Sequence, residues 1–254
     1  MMWTGLKYVI AAVAVLLLAS CAPKQELLSP DENFEPSSQN ATELLARLRP
    51  LYTPVVSVSG RGRAQVSGPG TSERSTITFA SDRDRTLLTF RNSLGIEGGR
   101  LLVEPDSVTF YNRIDQFAQR IGIRDQDIML ENGFYAVNML SVLDPDIRER
   151  RARRAYENPD SWMIVFDDQS RMTFDRTTGN LTRYDMPMMH NLAFSTYLFG
   201  NHVRIAGYAM PQNIQILSND RRTAVTIQVQ SYEVNAAISE LTLDIPAHIR
   251  IIRQ

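Results

Sequence analysis

The chain has 254 residues, of which 43% are apolar and 22% charged, a balance that excludes wholesale disorder. Its formal net charge of −1 leaves no global field to hold a polyanion, so no nucleic-acid partner is expected. All the basic residues except Lys7 and Lys24 are arginines, a skew that codon bias explains as readily as phosphate recognition.

In chain order, Lys7 precedes an apolar run from Val9 to Ala19, which ends in Leu18-Ala19-Ser20-Cys21. A charged start, an apolar core and a small-residue cleavage site define a secretory signal peptide. The run has 11 residues, short of the roughly 20 needed to span a bilayer. A leucine three places before the single cysteine, with Ala and Ser between, resembles the lipobox of bacterial lipoproteins. That resemblance implies cleavage before Cys21, lipidation of Cys21 and attachment to a membrane through the acyl chains. Ala22 in the following position implies retention at the outer membrane, facing the periplasm. With Cys21 lipidated, no cysteine remains for a disulfide.

Residues 22–39 hold three prolines and many polar side chains, the composition of a flexible tether. Asn40, with Glu43 three places on, has the spacing of a capping box, and Leu44, Leu45 and Leu48 share one helical face before Pro50. From Val55 the period changes to two. Val56, Val58, Gly60, Gly62, Ala64 and Val66 fall on one side of a strand, where small residues permit close approach of backbone or ligand. Gly68-Pro69-Gly70 turns the chain. Thr76–Phe79 and Leu87–Phe90 form the next hairpin about the charged tip 82–85.

Leu94-Gly95-Ile96-Glu97 then reads as a bend, Arg100–Val103 as a buried strand, Pro105-Asp106-Ser107 as a turn and Val108–Arg113 as another strand. From Leu44 onward, and most closely over Leu94 to Arg113, the chain resembles Bacteroidetes-type lipoproteins of the LolA/LolB-like superfamily. The resemblance implies a mainly β fold with some α: a single strongly curved antiparallel sheet, forming an incomplete barrel covered by a few helices. Known superfamily members hold acyl chains in that concavity.

Gln119–Leu130 is consistent with a further strand, and Phe134, Val137, Leu140 and Leu143 have helical spacing up to Asp144-Pro145. Arg148, Arg150, Arg151, Arg153 and Arg154 follow, either as a contact for an anionic headgroup or protein partner, or as a solvated connector. Trp162, Ile164 and Phe166 mark a covered strand. Met186-Pro187-Met188-Met189 opens a run with Leu192, Phe194, Tyr197, Leu198 and Phe199 that suits a cavity lid or ordinary core. Ile214 and Ile216 pair with Val225, Ile227 and Val229 about Asn219-Asp220, and the alternation of Leu241, Leu243 and Ile245 predicts a last strand. Ten or eleven strands with short turns favour one domain over 40–254, after a signal peptide (1–20) and a lipidated tether (21–39).

No catalytic residue, metal site or cofactor is expected. His190, His202 and His248 are scattered, there is no Gly-x-Ser-x-Gly elbow, and Gly60-x-Gly62 lacks a phosphate loop's third glycine. The expected function is an outer-membrane lipoprotein that binds the acyl chains of a lipid or lipoprotein, in lipoprotein sorting or lipid transport. Phe79, Phe90, Leu101, Val103, Phe110, Phe134, Trp162, Phe166, Met188, Met189 and Phe194 are its candidate cavity or lid residues. The alternative is an envelope-assembly lipoprotein that docks a protein partner.

Overall fold

The computed structural model describes residues 33–122, 138–186 and 194–253, without the side chains of Thr71 and Phe194. Cys21 and its lipobox, most of the tether, Phe134, Met188, Met189 and Leu192 lie outside the described residues, as do 123–130 of the strand expected after Gln119.

In chain order the elements are β1 (Glu35–Pro36), α1 (Ala41–Leu48), β2 (Ser57–Gly68), β3 (Thr71–Asp82), β4 (Thr86–Arg91), β5 (Glu97–Val103), β6 (Ser107–Asn112) and β7 (Phe117–Gly122). Then come α2 (Met139–Leu143), β8 (Ala152–Glu157), β9 (Ser161–Phe166), β10 (Arg171–Asp175), β11 (Leu181–Asp185), β12 (Phe194–Ile205), β13 (Tyr208–Ser218), β14 (Ala224–Val234) and β15 (Ile251–Arg253). Every strand belongs to one sheet, ordered β1-β8-β9-β10-β11-β12-β13-β14-β2-β3-β4-β5-β6-β7-β15. All pairs are antiparallel except β15 on β7. A twisted sheet of this width must curl or split. Here it curls, helped by bulges at Phe90/Arg91, Ala152/Arg154 and Val229/Ser231. The result is a mostly β, open, curled sheet with few helices. Its edges are the two-residue β1 and three-residue β15, too short to template another chain.

The register places the apolar alternation of each strand on one concave face. Val58, Ile77, Phe79, Leu88, Leu101, Val108, Ile164, Phe166, Met172, Phe174, Phe199, Ile214, Ile227 and Val229 are buried there in one cluster. Two helices cover it. The Asn40 side chain accepts from the Thr42 and Glu43 amides to start α1, and Leu44, Leu45 and Leu48 are 0%, 1% and 3% exposed beside β8. Helix α2 seats Met139, Leu140 and Val142 near β3.

Three expectations change. The described residues hold fifteen strands rather than ten or eleven, because β1, β8, β12 and β15 form where the sequence offers no clear alternation. Tyr197, Leu198 and Phe199 lie in β12 and are buried in the sheet, so this part of the Met-rich run is core rather than lid. The arginine segment is irregular over 148–151 and opens β8 at 152–154. Finally, Leu241–Ile245 is not a strand. Leu241 is buried while Glu240, Thr242 and Asp244 are exposed, so the segment is alternately buried. It runs from β14 toward β15, where Ser57 Oγ donates to the Ala236 carbonyl and Arg85 Nη1 to that of Leu241. No strand among the described residues pairs with it, and alternation alone does not make a ladder.

Candidate functional site

Of the candidate cavity residues, Phe79, Phe90, Leu101, Val103, Phe110, Trp162 and Phe166 share the concave face by register. They do not share one space. Phe79, Leu101, Val103 and Phe166 are buried core. Trp162 is half-buried, with the guanidinium carbons of Arg176 and Arg47 at 5.4 and 5.9 Å from its ring centre. Phe90 and Phe110 are also half-buried, and they face a groove at the far end of β3–β6.

Among the described residues, the helix-covered half of the concavity is packed with side chains. Gly60 of β2 makes room for the protein's own aromatic ring: a Cβ there would stand 2.5 Å from Phe79 Cζ and 2.7 Å from the Ser231 carbonyl oxygen. Phe79 in turn meets Tyr232 edge-on at 6.0 Å. On the other flank Tyr52 packs edge-on against Phe174 at 6.0 Å and donates to the Gly179 carbonyl at 2.8 Å, and burial pushes its phenol pKa up. Beside it lies a cavity of about 60 Å³ lined by Tyr52, Leu143, Asp144, Leu181, His202 and Tyr208, room for about two waters. Burial holds His202 below its ordinary pKa, against the Leu181 backbone hydrogen bond and the Asp175 charge.

A polar latch fixes α2 over this half. The Met139 amide donates to Thr86 Oγ1 at 3.0 Å and the Leu140 amide to Ser81 Oγ at 3.2 Å, and the two hydroxyls lie 2.5 Å apart. The Asn138 side chain caps the helix through the Ser141 amide. At the other end buried Asp144 accepts from the Arg83 guanidinium and the Val55 amide, with Arg148 3.7 Å away. These polar groups are far apart in sequence, and no local signal announces them.

The opposite end of the same strands is open. Phe90, Gly98, Gly99, Phe110, Asn112 and Ile114 line a groove of about 320 Å³, within the range of small-ligand pockets. Gly99 forms its floor. A Cβ there would meet the Tyr111 carbonyl oxygen at 2.8 Å and the Phe110 ring at 3.2 Å, so the ring lies back only because the position is glycine. Arg74, Glu73, Arg91 and Asn92 supply the polar wall.

Two ordered turns rim this groove with exposed apolar side chains. Asn92 Oδ1 accepts from the Leu94 and Ile96 amides, both at 3.0 Å, and Asn112 Oδ1 accepts from the Ile114 and Asp115 amides at 2.9 and 3.0 Å. Each turn thus points the apolar residue two places on to solvent: Leu94 is 81% exposed and Ile114 65%. Ile96 and Phe117 extend the patch. Glu97 ties the turns together, with Arg100 at 2.8 Å, Arg113 at 3.3 Å and Arg91 at 3.6 Å. Burial would raise its carboxyl pKa, but the hydrogen bonds and charges of Arg100 and Arg113 outweigh that and hold it below the ordinary value.

The arginine segment divides. Arg150 is a structural residue, donating to Asp168 and Ser170 at 2.7 Å and to the Tyr184 hydroxyl at 2.8 Å. Its guanidinium also lies over the Phe166 and Tyr184 rings. Burial opposes ionisation of Asp168, yet the Ser170 hydrogen bonds and the Arg150 charge keep its pKa low. Arg148 is taken up by Asp144 and Asp146. Arg151, Arg153 and Arg154 are exposed. Among the described residues no group of three or more His, Cys, Asp or Glu side chains is arranged to hold a metal ion.

No protein-family model matches this chain, and no curated protein resembles it in sequence. Solved structures do share its fold. A domain assigned to outer membrane lipoprotein sorting, from Vibrio parahaemolyticus, superposes with a TM-score of 0.56 at 10% identity, covering 79% of this chain and 96% of its own. A LolA superfamily protein from Nitrosomonas europaea gives 0.53 at 10% identity, with coverages of 79% and 96%. A DUF1329 family protein from Desulfovibrio piger gives 0.51 at 12%, with coverages of 78% and 93%. At these identities the likeness is one of fold.

Proposed function

We propose that this protein is an outer-membrane-anchored periplasmic lipoprotein that binds an acyl chain of a lipid or lipoprotein, and acts by transfer rather than catalysis. The observation that carries this reading is the groove of about 320 Å³ on the concave face, floored by Gly99 and walled by Phe90 and Phe110. A methylene occupies about the space of one water, ~30 Å³, so the groove takes about ten. Each methylene removed from water is worth about 0.8 kcal/mol, and about half that where one side stays wet. The sum, about 4–8 kcal/mol, corresponds to dissociation constants from about 1 mM to 1 µM, suited to a carrier that must also release. The rim of Leu94, Ile96 and Ile114 would let a chain pass between bilayer and groove without crossing water. The fold shared with a lipoprotein-sorting domain supports the same reading.

Lipidation of Cys21 would keep the groove within reach of its source, since the tether spans up to about 60 Å when extended. Native mass spectrometry of the gently purified full chain should show a co-purifying lipid or lipopeptide that is absent from Phe90→Asp. A consistently empty protein would sink the proposal. A second reading, docking of an envelope protein, is favoured by the side-chain packing of the helix-covered half, where a cavity of about 60 Å³ lies beside Tyr52. In-cell crosslinking from Leu94 separates the two: transient lipoprotein adducts support the carrier, and one fixed protein adduct supports docking.

A further inference from the structure

The antiparallel pairing brings distant parts of the chain to one end of the sheet. The ends of β4 and β6 and the starts of β5 and β7 carry the apolar rim. Following the register through Gly68–Thr71, Ala224–Leu217, Ser218–Phe194, Thr196–Asp185 and Asp185–Arg171, the same end holds the starts of β10 and β8. There Arg151, Arg153, Arg154 and Arg171 are all exposed. The bulge between Ala152 and Arg154 aids this, because it leaves Arg153 without a partner on β9, and its neighbour Arg154 is exposed as well.

None of these four guanidiniums makes an ion pair among the described residues. The carboxylates nearest in register are engaged elsewhere: Asp168 holds Arg150, and Asp185 holds Arg183 and accepts from Thr196 Oγ1. Glu149 and Asp167 are exposed in the same region, so the local balance is four cations against two anions. Exposed and unpaired at one end of the sheet, these four guanidiniums are free to take an external anion. A phosphate surface uses that arrangement, because guanidinium binds phosphate bidentately.

We infer that Arg151, Arg153, Arg154 and Arg171 form a docking surface for an anionic phospholipid bilayer, which sets the open end of the sheet against the membrane. Charge complementarity and the apolar rim at the same end select this occupant over an acidic protein. The inference rests on the carrier reading for its purpose but not for its chemistry, since headgroup binding requires nothing in the groove. Each basic residue near an anionic surface is worth about fivefold in affinity, so reversing three of the four costs at least about a hundredfold.

The test uses the full chain with vesicles of phosphatidylcholine alone and of phosphatidylcholine with about 30% phosphatidylglycerol, read by flotation and by amide hydrogen exchange. Association with the neutral vesicles reports the anchor. The arginine surface predicts additional protection of 151–154 and 171 only on the anionic vesicles, abolished at about 0.5 M salt, where screening is strong. It also predicts loss of that protection in Arg151→Glu/Arg153→Glu/Arg154→Glu. Equal exchange on both vesicle types would overturn the inference, as would protection that appears only when envelope protein is added. Acyl uptake by the groove, measured on the same variant, should be unchanged, which separates failure of this inference from failure of the carrier reading.

Discussion

Replacing Asp144 by alanine removes a carboxylate whose side chain is only 6% exposed and on which three parts of the fold converge. The buried Val55 amide loses its acceptor, and an unsatisfied buried donor costs about 1–2 kcal/mol. Arg83 and Arg148 lose a partner but are 37% and 27% exposed, so water takes over much of that interaction and each contributes only about 0.5 kcal/mol. The expected loss is therefore about 2–3 kcal/mol, equivalent to a Tm lower by about 5–10 °C in a domain of this size. Asp144→Asn keeps an acceptor for Val55 and should lose only about 1 kcal/mol. Urea unfolding of the full chain, with an unchanged slope, measures both. If alanine and asparagine prove equally costly, or if neither shifts the midpoint, then Asp144 does not latch α2 and the reasoning fails.

Three further outcomes follow from the same geometry. Because burial lowers the His202 pKa below about 6.5, the unfolded chain binds the extra proton first; stability is complete above about pH 6.5 and falls as pH drops toward the folded-state value. His202→Gln should flatten that slope in pH-dependent melting, and an unaltered slope would assign it elsewhere. Gly60→Ala should destabilise by about 1–3 kcal/mol through the clash with Phe79, and Phe79→Leu in the same chain should recover part of it; strict additivity in a double-mutant cycle would contradict the packing described. Leu45→Ala, at 1% exposure beside β8, should cost about 2–5 kcal/mol in chemical unfolding, and a cost under about 1 kcal/mol would mean that α1 covers little core.

Where signals are local, the sequence discloses the structure. Asn40, Glu43 and the three leucines specify α1 and its buried face, and period-two alternation specifies β2 and the hairpins after it. What alternation cannot convey is pairing. Leu241–Ile245 alternates because it is extended and half-covered, yet it joins no ladder. The meaning of a gap is equally non-local: Gly60 signals space, and only its register with Phe79 shows that a side chain already fills it. Arg150 reads as one of five surface cations until the turn at 167–170 brings Asp168 and Ser170 to it. The groove was half legible. Phe90 and Phe110 stand out as apolar, but their openness depends on Gly99 and on Asn92 and Asn112, whose side-chain hydrogen bonds direct the rim. The recurrence of asparagine two residues before Leu94 and before Ile114 was the available clue.

The central claim is that the open end of the concave face accepts an acyl chain. Titration of an environment-sensitive dodecanoyl probe against the full chain tests it most directly, alongside Phe90→Asp and Gly99→Val, with melting curves to confirm that each variant folds. The account predicts saturable binding between about 1 µM and 1 mM, weakened at least tenfold by either substitution. Absence of saturable binding, or equal binding by folded variants, would contradict it.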